Sequence, residues 1–129
     1  MQHEDITRAI IGCAYRVYNT MGFGFLESVY EKCMLIELEK AGLAVERQKP
    51  IAVYYEGQIV GEFIADLLAE DEVIVELKSV RRLAPVHGVQ LVNYLVATRK
   101  DVGLLLSFGE EKVEVKRKTR ILDRDGMPD

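Results

Sequence analysis

The sequence predicts an α/β fold, a mixed β-sheet flanked by helices in the order α-α-β-β-β-α-β-β. Three observations predict it. The N-terminal third carries apolar residues at helical spacing, and from Leu43 onward the period changes to extended, β-branched runs. One helical segment, opening at Leu83-Ala84-Pro85 and ending near Thr98, separates the third strand from the fourth, which permits a parallel crossover beside an antiparallel meander. Val102 to Phe108 is almost wholly apolar, as a strand buried on both faces would be.

The elements follow in order. Ile6, Ile10, Cys13 and Val17 recur at helical spacing, so a first helix is expected from Asp5 to Tyr18, ended by Asn19-Thr20-Met21-Gly22. A second helix is expected from Leu26 to Ala41. Its apolar stripe is Leu26, Val29, Tyr30, Cys33 and Ile36, widened by Met34, Leu35 and Leu38, with Gly42 as its stop. Leu43 to Tyr55 reads as a strand in which Pro50 marks a bend or an edge position. After a Glu56-Gly57 turn, Gln58 to Leu68 forms the second strand. Glu70-Asp71-Glu72 turns the chain into Val73–Lys78, rich in β-branched residues. The last strand is expected over Lys112 to Lys118, and the polar segment 123–129 is expected to be a flexible tail.

At 129 residues, 49% of them apolar and 29% charged, the chain suits one globular domain, 1–129, with a core over about 22–118. No apolar run approaches a membrane span, and the acidic start lacks the basic opening of a secretory signal, so a cytoplasmic address without membrane association is expected. Cys13 and Cys33 read as buried thiols, since no spacing suggests zinc or redox pairing. The net charge of −4 argues against a non-specific nucleic-acid coating. Its distribution is uneven. Glu62, Asp66, Glu70, Asp71, Glu72 and Glu76 make an acidic centre, and Lys112, Lys116, Arg117, Lys118 and Arg120 make a basic flank interrupted only by Glu114. A metal site that receives a polyanion needs that arrangement, although charged turns and an exposed edge strand would produce it too.

The chemistry concentrates in the second and third strands. A three-residue turn at Glu70–Glu72 pairs Ala69 with Val73 and, counting on, Asp66 with Glu76, on one face. A two-residue turn would place them on opposite faces, so the argument depends on register. Two opposed carboxylates repel each other unless a hard cation such as Mg²⁺ or Mn²⁺ converts the repulsion into coordination. Lys78 shares the face of Glu76 and would position a water or neutralise charge on a phosphoryl group. The pattern Glu-x-Lys recurs at Glu110 and Glu114, but only Glu76 lies in an apolar strand with an acid ten residues before it. Glu27 lies at the margin of the second helix's stripe. Gln90 and Tyr94 share a face of the third helix, with His87 a turn earlier. Arg81, Arg82 and Lys100 are candidates to hold flanking phosphates. No glycine-rich GxxxxGK[ST] loop occurs, which argues against NTP hydrolysis of the P-loop kind.

Several stretches resemble the blocks of the GxxExxY protein family: Gly24-Phe25-Leu26-Glu27-Ser28-Val29-Tyr30, Glu46–Ile51, Ala65–Leu68, Val75–Lys78, Pro85-Val86-His87 and Gln90–Leu95. The resemblance runs over roughly Gly22 to Lys118, in the same order. That family is similar to the PD-(D/E)XK nuclease superfamily. The resemblance implies a restriction-endonuclease-like core and a Mg²⁺- or Mn²⁺-dependent nuclease. Asp66 and Glu76 would be metal ligands, Lys78 the catalytic lysine and Glu27 a helix glutamate supporting the metal. Gln90 and Tyr94 would match the QxxxY element of the RecB-like branch. Ile64 stands where an arginine is common in the family, which puts one phosphate or carboxylate contact in doubt but not the metal site; Ala65 stands where the superfamily has proline, a substitution many members tolerate. The expected partner is nucleic acid, DNA ahead of RNA, with a homodimer or protein partner assisting so small and acidic a chain. The alternative is a nuclease-like domain without turnover, serving to bind nucleic acid or protein.

Overall fold

The structure, a computed structural model, describes residues 3–120, so the expected 123–129 tail lies outside the described residues. The elements are α1 (Glu4–Met21), α2 (Glu27–Lys40), β1 (Val45–Tyr55), β2 (Gln58–Ala69), β3 (Val73–Lys78), α3 (Pro85–Thr98), β4 (Val102–Phe108) and β5 (Val113–Thr119). They form one five-stranded sheet in the order β1-β2-β3-β4-β5. Only β3 and β4, joined through α3, run parallel. Pro50 lies in β1, an edge strand, where its missing N–H costs no central ladder bond. No helix among the described residues is long and apolar enough to cross a membrane.

Alternation along the strands divides the core in two. Val73, Val75, Leu77, Leu104 and Leu106 face α1 and α2, where Ile10, Cys13, Val17, Tyr30, Met34 and Leu38 pack on them. Ile74 and Leu105 face the other way, with Phe63, Ala65, Leu68 and the α3 residues Leu91 and Leu95. On the first face the Tyr30 ring stacks on Phe108 with centroids 4.2 Å apart. α3 approaches the second face closely because Gly103 of β4 has no side chain. A Cβ there would meet Leu91 at 2.9 Å.

Three expectations need correction. α1 continues to Met21, and Gly22, with φ 73°, ends it by donating its N–H to the Tyr18 carbonyl at 2.8 Å. The buried side of α2 is Tyr30, Glu31, Met34 and Leu38, whereas Leu26 and Ile36 are 75% and 58% exposed. The helix is rotated because Glu31 has partners inside: its carboxylate accepts from Arg47 Nη1 at 3.2 Å and Gln48 Nε2 at 2.8 Å. Of the two free thiols, Cys13 is buried but Cys33 is only half-buried.

Candidate functional site

The expected register holds at the β2–β3 turn, where Ala69 pairs with Val73, Leu68 with Ile74 and Leu67 with Val75. The regular ladder stops one pair short of Asp66 and Glu76. In its place the two side chains cross. The Asp66 N–H donates to Glu76 Oε2 at 3.0 Å, and the Leu77 N–H donates to Asp66 Oδ2 at 2.9 Å. Each carboxylate thus uses one oxygen to replace a lost backbone acceptor, and its other oxygen accepts no hydrogen bond among the described residues.

A reversal of β2 produces this crossing. Residues two apart on a strand normally share a face, yet Ala65 belongs to the α3-side core and Leu67 to the opposite one. Asp66 sits at the reversal. Across from it, between the pairs Arg47–Leu67 and Lys49–Ala65, Gln48 takes the left-handed φ of 53°. The Gln48 amide is the group that Glu31 holds. A buried acid of α2 therefore pins the distortion opposite Asp66. The hydrophobic pattern gave no sign of this role for Glu31. Glu31 stands between Tyr30 and Lys32, and its charge alone does not set it apart from its exposed neighbours Glu27 and Lys32.

Glu76 and Lys78 project on the α3 side, two apart on β3. With Gln90, Tyr94 and His87 of α3, and Glu62 and Phe63 of β2, they line a cleft of about 400 Å³. Tyr94 stacks on Phe63 at 3.9 Å between centroids, which fixes that wall. His87 Nδ1 accepts the Ala84 N–H at 3.1 Å, so this ring nitrogen serves the start of the helix. Glu27 reaches the cluster from α2, accepting the Ser79 N–H on Oε2 at 3.3 Å, and Ser79 Oγ donates to the Phe25 carbonyl at 2.7 Å. The loop before α2 is thereby fastened to the end of β3. Gly24 enters that loop with φ 113°, a value that favours glycine, and the Tyr30 hydroxyl donates to the Gly22 carbonyl. In the Gly24–Tyr30 stretch, the glycine and tyrosine thus shape the loop and only the glutamate reaches the cluster.

Burial drives the electrostatics. Glu76 is pushed up to about 8, first by desolvation and then by the Asp66 charge, against the opposing pull of the Asp66 N–H and Lys78. Asp66 is also raised, by burial above all, with the Leu77 N–H and Lys78 opposing and Glu31 and Glu27 adding repulsion. A group of carboxylates in this state stabilises either a proton or a cation.

Among the described residues, no three His, Cys, Asp or Glu side chains converge enough to hold a metal by themselves. The donor set nevertheless fits Mg²⁺ or Mn²⁺. Hard cations take carboxylate oxygen, and Mg²⁺ commonly uses one or two carboxylates and completes its shell with water and substrate phosphate. The phosphate candidates divide. Arg81 and Arg82 lie in the loop after Lys78, with Arg81 Nη1 3.4 Å from Glu110. Lys100 is not brought to the site. Its ammonium donates to the Asp71 carbonyl at 2.9 Å in the β2–β3 turn, at the opposite end of β3 from Lys78.

Residues 4–118 match the family model described as the PD-(D/E)XK nuclease superfamily. No curated protein matches the sequence. Among solved structures, an alkaline exonuclease (LHK-Exo) from Laribacter hongkongensis is similar at 12% identity and a TM-score of 0.39, over 88% of this chain and 82% of that one.

Proposed function

The chain belongs to the PD-(D/E)XK nuclease superfamily, and from that premise we propose that it is a metal-dependent nuclease hydrolysing phosphodiester bonds of nucleic acid. The observation that carries the reading is the crossed pair Asp66–Glu76 with Lys78 beside it on β3, where Glu76 and Lys78 line a cleft open to solvent. Asp66 and Glu76 would hold Mg²⁺ or Mn²⁺ through the oxygens their backbone bonds leave unused. When bound, the cation supplies Lewis acidity at the phosphoryl oxygen and makes water more acidic.

The chain's own residues do the rest. Hydrolysis forms a bond from water oxygen to phosphorus and breaks the bond to the leaving oxygen, which gains a proton. The Lys78 ammonium orients the water and offsets negative charge gathering on the phosphoryl oxygens. Glu27 holds the end of β3 in place through Ser79, and Gln90 and Tyr94 form the wall against which the substrate is positioned.

The test is cleavage of labelled single- and double-stranded DNA, then RNA, with Mg²⁺ or Mn²⁺, beside Lys78→Ala and EDTA controls. Cutting that disappears in both controls supports the proposal and names the substrate. No cutting of any substrate, with no Mn²⁺ binding by calorimetry, would leave a binding module instead.

A further inference from the structure

The basic run at the end of the chain has no part in the site so far. Alternation along β5 sorts it. Val113 and Val115 pack toward α1 and α2, so Glu114, Lys116 and Lys118 turn to the α3 side. There they form one wall of a second cleft, of about 690 Å³, whose facing wall is apolar and includes Leu83, Pro85, Val89 and Val92. This cleft is the larger of the two on the α3 face.

Strand register ties the two clefts together. Glu76 pairs with Leu105, and Leu105 pairs with Lys116, so all three lie in one row on one face. Lys118 lies in the next row, with Gly103 and Ile74. Two strand spacings put Lys116 about 10 Å from Glu76 across the sheet, and two residues put Lys118 about 7 Å further along β5. α3 crosses between the clefts, and Leu105 lines both.

The charges in the second cleft are available. Arg81 is paired with Glu110, but Arg82, Lys116 and Lys118 have no acid within ion-pair distance among the described residues. The one acid in the cleft, Glu114, is engaged with the backbone, accepting the Leu83 N–H at 3.1 Å. α3 also makes room for Lys118. Gly88 is a helix-interior glycine, which costs about 1 kcal/mol against alanine, and a Cβ there would come within 3.1 Å of Lys118 Cε.

We infer that the α3–β5 cleft is a subsite for single-stranded nucleic acid, a deeper statement that rests on the nuclease reading above. Lys116, Lys118 and Arg82 take successive phosphates, and the apolar wall takes the unpaired base between them. A duplex would meet the same cations, but its stacked bases could not reach that wall. The volume lies in the range of sites that enclose a nucleotide-sized ligand.

The experiment separates binding from cleavage. With EDTA present, anisotropy of a short labelled oligothymidylate, and of a duplex for comparison, is titrated with the wild-type chain, with Lys116→Gln/Lys118→Gln and with Val89→Asn. Val89 is 58% exposed, so the last change spares the core. Losing two phosphate contacts should make the salt slope shallower by about 1.4 and weaken binding roughly 25-fold at about 0.1 M salt. Val89→Asn, which adds no charge beside the lysines, should weaken single-strand binding while leaving duplex binding unchanged. Unchanged binding in both variants, or no single-strand binding by the wild type, overturns the subsite even if the protein cuts duplex. The expected binding losses in a protein that cuts nothing with Mn²⁺ would keep the subsite and remove the nuclease reading.

Discussion

The two faces of the sheet are built from the same strands and serve different ends. On the α1–α2 face, side chains of β3 and β4 pack into a mainly apolar cluster, and its largest members, Tyr30 and Phe108, are fully buried and stacked. On the α3 face, the same strands alternate into Glu76, Lys78 and Ser107, and the helix covers only part of the surface, leaving a cleft on each side of it. A strand buried on one face can carry charge on the other because its pleat separates them by a single residue. The larger share of the core therefore lies on one face and the proposed chemistry on the other. Substitutions should separate the two.

The largest effect belongs to the packed face. Tyr30→Ala removes a fully buried ring and should cost about 3–5 kcal/mol by denaturant unfolding, with cleavage lost only to the extent that folded protein is lost. Lys78→Ala comes next and should do the opposite. Cleavage should fall by about 10²–10³-fold, while the unfolding midpoint stays near that of the wild type. A Lys78→Ala protein that unfolds easily, or one that cuts normally, would erase the distinction between the faces.

How much of this was legible in the sequence differs by face as well. The apolar runs Val73–Lys78 and Val102–Phe108 become strands with the expected bounds, because β-branched and apolar residues leave few alternatives. The opposition of Asp66 and Glu76 followed from turn length alone. The reversal at Asp66 did not, since it depends on a left-handed residue, Gln48, held by an acid from a different element. For the same reason hydropathy misplaces the stripe on α2: it puts Ile36 inside and Glu31 outside, and only tertiary partners reverse them. Lys100 suits a phosphate by its charge, but charge does not tell which end of a strand a loop reaches. Of the basic run, only alternate members reach the cleft.

Acidity tests the α3 face next. Glu76 is held at about 8 in the folded chain against 4.5 when unperturbed. Between those values the folded state keeps a proton that the unfolded state has lost, so stability falls as pH rises. The contribution is whole below the unfolded value and is lost as pH climbs through about 8, and Asp66 shifts in the same direction. Thermal unfolding without divalent ions should show a decline from about pH 4.5 to about pH 8 that Glu76→Gln flattens. Mn²⁺ should raise the midpoint more at the higher pH, by an amount equivalent to about 2.7 kcal/mol at a hundredfold excess over Kd. A cation effect that is equal at both pH values, or that survives Glu76→Gln, would detach the carboxylates from metal binding.

The smallest effect should come from the one acid that belongs to both faces. Glu31 is buried with α2 on the packed side, yet its carboxylate holds Gln48 and Arg47, and Gln48 is the residue opposite Asp66. Glu31→Gln keeps the volume and one acceptor but removes the charge, so it should cost only about 1 kcal/mol in stability. If the reversal of β2 depends on this contact, the cost should also appear at a distance. Asp66 would be less firmly held across from Glu76, and cleavage should drop severalfold, with kcat lowered more than KM raised. Removing the negative charge also lowers the carboxyl of Asp66, since Glu31 is among the groups that raise it. The acidic limb of the cleavage profile should therefore move to lower pH. A variant with the expected loss of stability but an unchanged pH profile would confine Glu31 to packing and make the separation of the two faces complete.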